Sequence, residues 1–137
     1  VTLRCLERMN VSAQSSRLAA CVGTNLNNDG ITLYEAIAAL FLAQALGFDL
    51  TVGKQLVIVI ASIIAGAGVA GIPEAGMIIM PLVLTAAGLP DEVILAAIPL
   101  IMTVDWIIAR ARSAVNVMSD MLVAILLDAG QRTALHK

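Results

Sequence analysis

Five side chains able to bind or exchange charged groups interrupt an otherwise apolar segment, residues 103–120. They are Asp105, Arg110, Arg112, Asn116 and Asp120. A helix turns about 100° per residue, so residues 7, 11 and 15 positions after Asp105 point in nearly the same direction as Asp105. These residues are Arg112, Asn116 and Asp120. Ionisable groups in a membrane are tolerated where they face protein, water or an ion. The spacing therefore predicts a polar binding stripe along an apolar helix; the alternative is a soluble helix with an outward polar face.

The composition is that of a membrane protein, and the helices predicted along the chain make it an all-α membrane protein. Hydrophobic residues make up 60% of the chain and charged residues 13%, with a mean hydropathy of +0.96, whereas soluble domains are about 45–50% apolar and about 25% charged. A net charge of -2 and 3% aromatic residues argue against a nucleic-acid partner. Cys5 and Cys21 lack a CxxC partner and His136 is the sole histidine, so the sequence gives no support for a redox or histidine-metal site.

The first twelve residues are predicted to be a lead-in lying at the membrane interface. They mix arginine and glutamate with apolar residues, and Ser12 is suited to cap a helix that begins near Ala13. The opening VTLRCLERMN contains no secretory signal. We expect the chain to be the carboxy-terminal part of a longer protein.

Residues 13–46 are predicted to form a broken transmembrane helix. Apolar residues 13–26 run into GTNLNNDG, residues 23–30, whose asparagines and glycines favour a break, and the helix resumes over 31–46 before Gly47. Two half-helices around a polar break expose backbone carbonyls and helix ends to an ion. An ordinary loop is the alternative, but the first half is shorter than the roughly 20 residues a span needs.

Residues 51–88 are predicted to form a re-entrant helical hairpin. Its arms, about 55–65 and 77–87, flank the glycine-rich segment 66–76, and each covers roughly half of a ~30 Å bilayer core. The glycines favour close approach of backbone to a ligand and hinge motion. A single span kinked at Pro73 is the alternative.

The last transmembrane helix is predicted over residues 91–127. Its length of ~54 Å exceeds a bilayer core, so we expect it to be tilted, kinked near Pro99 or projecting into water. Residues 128–137 are polar and are expected to form a loose tail.

Spacing along this helix also limits which charged groups can pair. Arg112 is seven residues from Asp105 and eight from Asp120, or ~10–12 Å along the axis, so no direct pair is expected without bending. The two aspartates are ~22 Å apart, too far for the carboxylate dyad of a membrane aspartyl hydrolase. Only a pairing of Asp29 with either aspartate would rescue that enzymatic reading.

Three segments carry a resemblance to a known family. Residues 23–36 read GTNLNNDGITLYEA, residues 66–76 read GAGVAGIPEAG and residues 104–120 read VDWIIARARSAVNVMSD. In this order they resemble the broken seventh helix, the second re-entrant hairpin tip and the eighth helix of the dicarboxylate/amino acid:cation symporters. In that family, which includes the excitatory amino acid and C4-dicarboxylate transporters, the first and third motifs usually read GATINMDGTALYEA and VDWFLDRLRTTTNVLGD.

The resemblance implies sodium-coupled symport of a small dicarboxylate by elevator-type alternating access. It also implies a multi-pass plasma-membrane protein, a homotrimer formed through scaffold helices that this sequence does not contain, and a parent chain with a first, serine-rich hairpin. The alternatives are symport of an acidic amino acid and a truncated fragment without independent activity. Proton coupling, in place of sodium or beside it, stays open.

The resemblance implies a substrate site and a sodium site in this chain. The implied substrate residues are Arg112, Asn116, Ser113, Ala109, Gly71, Ile72, Gly76 and Asn28. The implied sodium ligands are Asn27, Asp29, Asn116, Asp120 and the carbonyl of Gly23. Arg112 would fork onto a substrate carboxylate, and ligation by oxygen alone suits a hard cation.

The chain departs from the family pattern at positions in all three motifs that concern function. Ala109 replaces the aspartate that meets the amino group in the family's amino acid carriers, and ARARSAVN echoes the EARALTN of dicarboxylate carriers, which favours a dicarboxylate substrate. Gly66, Val69 and Asn25 replace a serine and two threonines, which puts one sodium position associated with closure of the hairpin tip in doubt. Asn28 replaces the methionine of the NMDG motif.

Overall fold

A computed structural model describes residues 1–69 and 75–135 of the chain, and every regular element in these ranges is a helix. The helices are α1 Thr2–Arg8, α2 Ala13–Leu26, α3 Asp29–Ala45, α4 Val52–Gly68, α5 Ala75–Ala86 and α6 Asp91–Leu135. The predicted all-α class is confirmed.

Helices α2 and α3 are separated by two residues only. Ser12 caps α2 by accepting a hydrogen bond from the backbone of Ser15 at 3.2 Å. The helix then continues through GTNL, residues 23–26. Within the segment 23–30, Asn27 and Asn28 are the two residues outside a helix. The observed break is thus narrower than the eight-residue segment of polar and glycine residues, because the Asn27 N–H still bonds the carbonyl of Gly23, at 2.8 Å.

Helices α4 and α5 form two arms that pack on each other and on α3, and α5 also packs on α6. The buried apolar side chains of this cluster include Leu42, Ile58, Ile79, Met80, Leu84, Ala97 and Ile101. At 1.5 Å per residue, the 17-residue α4 and the 12-residue α5 are ~26 and ~18 Å long. Each is apolar but shorter than the roughly 20 residues of a full span.

Helix α6 has 45 residues and is ~68 Å long. Among the described helices it alone is long and apolar enough to cross a membrane by itself. The helix continues to Leu135, so the loose tail expected from Asp128 onward is not observed up to that residue. The reason is a contact between helices: Asp128 accepts a hydrogen bond from the Ser12 N–H at 3.0 Å, which ties the end of α6 to the start of α2. Asp128 also pairs with Arg132 Nε at 2.8 Å within α6.

Large apolar side chains cover much of the outer surface. Among the most exposed are Ile64, Ile78 and Leu82 on the hairpin arms and Leu95 and Met118 on α6. Apolar faces of this extent are typical of contact with lipid or with other protein.

Candidate anion and cation site

The polar stripe of α6 faces the other helices. Although the helix is exposed along much of its length, Asp105 is 5% exposed, Arg112 6% and Asp120 9%. The tertiary fold therefore buries the charged groups of the stripe and leaves apolar groups outside, as the membrane reading of the sequence requires.

Arg112 binds Asp105 directly, and our expectation that spacing prevents this pair was wrong. Its Nη2 donates to the Asp105 Oδ1 at 3.0 Å and to Oδ2 at 3.2 Å. The axial rise between the two Cα atoms is ~10 Å, but helical side chains lean toward the N-terminus. The long Arg112 side chain extends over two helical turns toward the N-terminus of α6, and Asp105 orients its guanidinium.

A second carboxylate, from α3, lies next to the same guanidinium. Glu35 is fully buried, and its Oε1 is 3.6 Å from Arg112 Nη1. Within the described residues, neither oxygen of Glu35 nor Arg112 Nη1 has a hydrogen-bond partner. The Tyr34 ring lies 4.3 Å from the guanidinium carbon, a distance at which the ring face attracts a cation.

Sequence reasoning missed Glu35 and Tyr34 as site residues. Both residues lie in the apolar half-helix predicted over 31–46, and Glu35 is the one acidic residue of that segment. The rule that singled out the α6 stripe, that an ionisable group inside an apolar segment needs a reason, would have found it.

The second arm of the hairpin approaches this guanidinium at Gly76. A Cβ at this position would lie 2.8 Å from Glu35 Oε1 and 3.1 Å from Arg112 Cζ, and closer still to Nη1. Only glycine lets the backbone come this near. Gly71 and Ile72, the other two predicted tip residues, lie outside the described residues.

Ala109 and Ser113 lie beside this group on α6. The Ser113 hydroxyl is exposed and donates to the Ala109 carbonyl at 2.9 Å. Both residues line an open cleft of about 570 Å³, together with Met77, Met102, Asp105, Trp106 and Arg110. Asp105 thus borders the cleft while its carboxylate binds Arg112.

Three of the five predicted cation ligands meet where α2 ends against α6. Asn27 Nδ2 donates to Asp120 Oδ1 at 2.8 Å, and a Cβ on Gly23 would lie 2.5 Å from Asp120 Cγ. The contact requires glycine and holds one carboxylate beside the last turn of a helix, whose carbonyl end carries partial negative charge. Of these groups, the Asp120 carboxylate is an oxygen ligand of the kind that a hard cation takes, whereas Asn27 presents its NH₂ group to that carboxylate and the Gly23 carbonyl accepts from the Asn27 N–H.

The remaining predicted ligands make separate contacts. Asn116 Oδ1 accepts from the Gly30 N–H at 2.7 Å, and Asn116 Nδ2 is 3.5 Å from Asn28 Oδ1. Asp29 is exposed and accepts from Ser119 at 2.6 Å. No group of three or more His, Cys, Asp or Glu side chains forms a metal cluster among residues 1–69 and 75–135, so a cation at Asp120 would need carbonyl or amide oxygens in addition to that carboxylate.

Comparison with known proteins identifies the family. The family model of the sodium:dicarboxylate symporter family matches residues 1–129. The chain belongs to this family. The resemblance drawn from the three motifs is thereby confirmed.

Curated relatives agree. The chain is 45% identical over 121 residues to excitatory amino acid transporter 3 of Mus musculus, covering 88% of this chain and 22% of the relative. It is 43% identical over 129 residues to excitatory amino acid transporter 1 of Rattus norvegicus, covering 93% and 23%, and 41% identical over the same length to transporter 4 of Mus musculus. The chain thus spans less than a quarter of the length of these relatives.

Proposed function

We propose that this chain is the carboxy-terminal part of a transport domain that couples a cation, sodium, to symport of a small dicarboxylic anion across the plasma membrane. The observation that carries the proposal is the state of Arg112. Its guanidinium is buried, one nitrogen is held by Asp105, and Nη1 has no hydrogen-bond partner among the described residues. A permanently charged donor in this position is suited to a substrate carboxylate.

Substrate would bind between α6, α3 and the hairpin. A substrate carboxylate oxygen bound to Arg112 Nη1 would lie under the backbone at Gly76. It would compete with Glu35, whose Oε1 is 3.6 Å from Nη1, a distance longer than a hydrogen bond. Asp105 keeps the guanidinium plane fixed during the exchange. Motion of the α4–α5 hairpin relative to Arg112 would open and close this space.

The cation would bind one to two helical turns further along α6. Asp120 is eight residues from Arg112, ~12 Å along the axis, and Asn116 lies between them with its amide oxygen bound to the start of α3. Sodium at Asp120 and Asn27 would fix the α2–α3 break against α6 and so order the anion site. A proton on buried Glu35 is the alternative coupling ion.

Two substrate classes are distinguishable. Ala109 gives α6 no acidic side chain at this position. The nearest acid along the sequence of α6, Asp105, is engaged by Arg112. The lack of a free acid to meet an amino group favours a C4-dicarboxylate such as succinate. The names of the curated relatives favour an acidic amino acid. Elevator-type movement and a homotrimer would both depend on scaffold helices outside this chain.

The test is a binding titration on the full-length parent polypeptide, with succinate against aspartate, each with and without sodium. Sodium-dependent succinate binding without an aspartate response supports the dicarboxylate reading. Tight aspartate binding transfers the assignment to the amino acid. Absence of binding for both in any cation contradicts the proposal. The same titration on the 137-residue chain alone shows whether it is a fragment without independent activity.

A further inference from the structure

Asn28, at the break between α2 and α3, is bound to the far end of the first hairpin arm. Its side chain is 6% exposed, and its Nδ2 donates to the carbonyls of Gly66 and Val69, both at 3.0 Å. These are bonds across 38 and 41 residues of sequence. One amide group therefore fixes the end of α4 against the start of α3.

The carbonyls of Gly66 and Val69 lie at the C-terminal end of α4, and carbonyls at a helix end commonly attract cations. The last carbonyls of a helix have no intrahelical partner and carry the negative end of its dipole. In transporters with discontinuous helices, such carbonyl ends coordinate the coupling ion. Here a neutral NH₂ group, which has two N–H donors, gives one donor to each oxygen.

The amide oxygen of Asn28 faces the site helix. Asn116 Nδ2 lies 3.5 Å from it, and Asn116 Oδ1 accepts from the Gly30 N–H. The end of α4 is thus connected to α6 through two asparagine side chains and no charged group. The methionine that the family motif has at this position could not supply the donors.

We propose that Asn28 holds the α4 end of the hairpin closed in place of a coupling cation. The inference rests on the proposed function and adds to it a statement about coupling. Closure of this end of the hairpin is independent of sodium, and sodium dependence is confined to the region of Asp120 and Asn27.

The test is amide hydrogen exchange of peptides from the end of α4, in the full-length parent polypeptide in lipid nanodiscs, in sodium and in choline chloride. Wild-type protection is expected to be equal in both salts. Asn28→Met removes both donors, and exchange in choline is expected to be about 5 to 30 times faster. Asn28→Asp places a carboxylate beside the carbonyls, and sodium is expected to restore much of the lost protection.

Thr24→Val is the matched control, because within residues 1–69 and 75–135 its exposed hydroxyl bonds only the Ala20 carbonyl of its own helix. Two results overturn the inference: wild-type protection that rises severalfold with sodium, or Asn28→Met exchange equal to wild type in both salts. Substrate binding measured on the same preparations separates the two proposals. If binding is absent while the exchange pattern is as expected, the proposed function fails and the closure by Asn28 stands.

Discussion

Substitution of Gly76 by alanine tests the anion site most directly. The added methyl group would stand 2.8 Å from Glu35 Oε1 and 3.1 Å from Arg112 Cζ, whereas carbon contacts become favourable near 3.5 Å. Glu35 and the guanidinium together must retreat by roughly 1 Å. The guanidinium cannot retreat freely, because Asp105 holds its Nη2 at 3.0 Å.

The expected effect is large for one methyl group. Loss of one charge-assisted hydrogen bond costs about 1.5–3 kcal/mol, and a reacting or binding group displaced by 1 Å can cost on the order of 100-fold. We expect Gly76→Ala to weaken sodium-dependent substrate binding by about 10- to 100-fold, measured by calorimetry on the full-length parent polypeptide in saturating sodium.

The control is Gly68→Ala on the other arm of the hairpin. Among the residues that the structure describes, a Cβ there would meet nothing within 4 Å, so the affinity of this variant should stay within about threefold of wild type. Thermal unfolding of both variants separates a local effect from misfolding. Equal affinities for the two folded variants would refute the reasoning, since they would show that the hairpin does not approach Arg112 when substrate is bound.

Three further predictions concern specific side chains. Gly23→Ala crowds the carboxylate of Asp120, 2.5 Å from its Cγ, and should raise the half-saturating sodium concentration about tenfold or more; an unchanged sodium titration contradicts the cation site. Arg112→Lys loses the planar fork and should weaken substrate binding at least about tenfold, while Arg8→Lys, exposed on α1, should have no effect in the same assay. Ala109→Asp adds an acid beside the cleft and should raise aspartate affinity relative to succinate about tenfold; competition binding measures the ratio, and an unchanged ratio removes Ala109 as the selectivity determinant.

The polar stripe and the interruptions could be predicted because they depend on local rules. A period of about 3.6 residues places Arg112, Asn116 and Asp120 on one side of a helix, and asparagine and glycine runs mark where helices stop. The family motifs then predicted Asp120 and Asn27 as cation ligands; that role stays a prediction, while the structure does bring the two side chains into contact.

The contacts that were missed depend on side-chain reach and tertiary packing. The Arg112–Asp105 pair was ruled out from backbone rise alone, although a long side chain that leans toward the N-terminus covers two turns. Glu35 is a partner of Arg112 because α3 packs against α6, and the sequence pattern of α3 alone does not show this contact. The end of α6 is helical beyond Asp128 because Ser12, 116 residues earlier, binds it, and no local pattern encodes such a contact.

The two attachments between α2 and α6 have a mechanical consequence. Ser12 binds Asp128 near one end, and Asn27 binds Asp120 near the other. The attachment points are fifteen residues apart on α2, ~22 Å, but eight apart on α6, ~12 Å. Sliding either helix along its axis cannot preserve both hydrogen bonds, so the pair resists shear as a triangulated frame does. If Asp120 and Asn27 bind a cation as proposed, they would keep their spacing during a movement of the α4 and α5 arms, so opening of the proposed anion site need not release the ion.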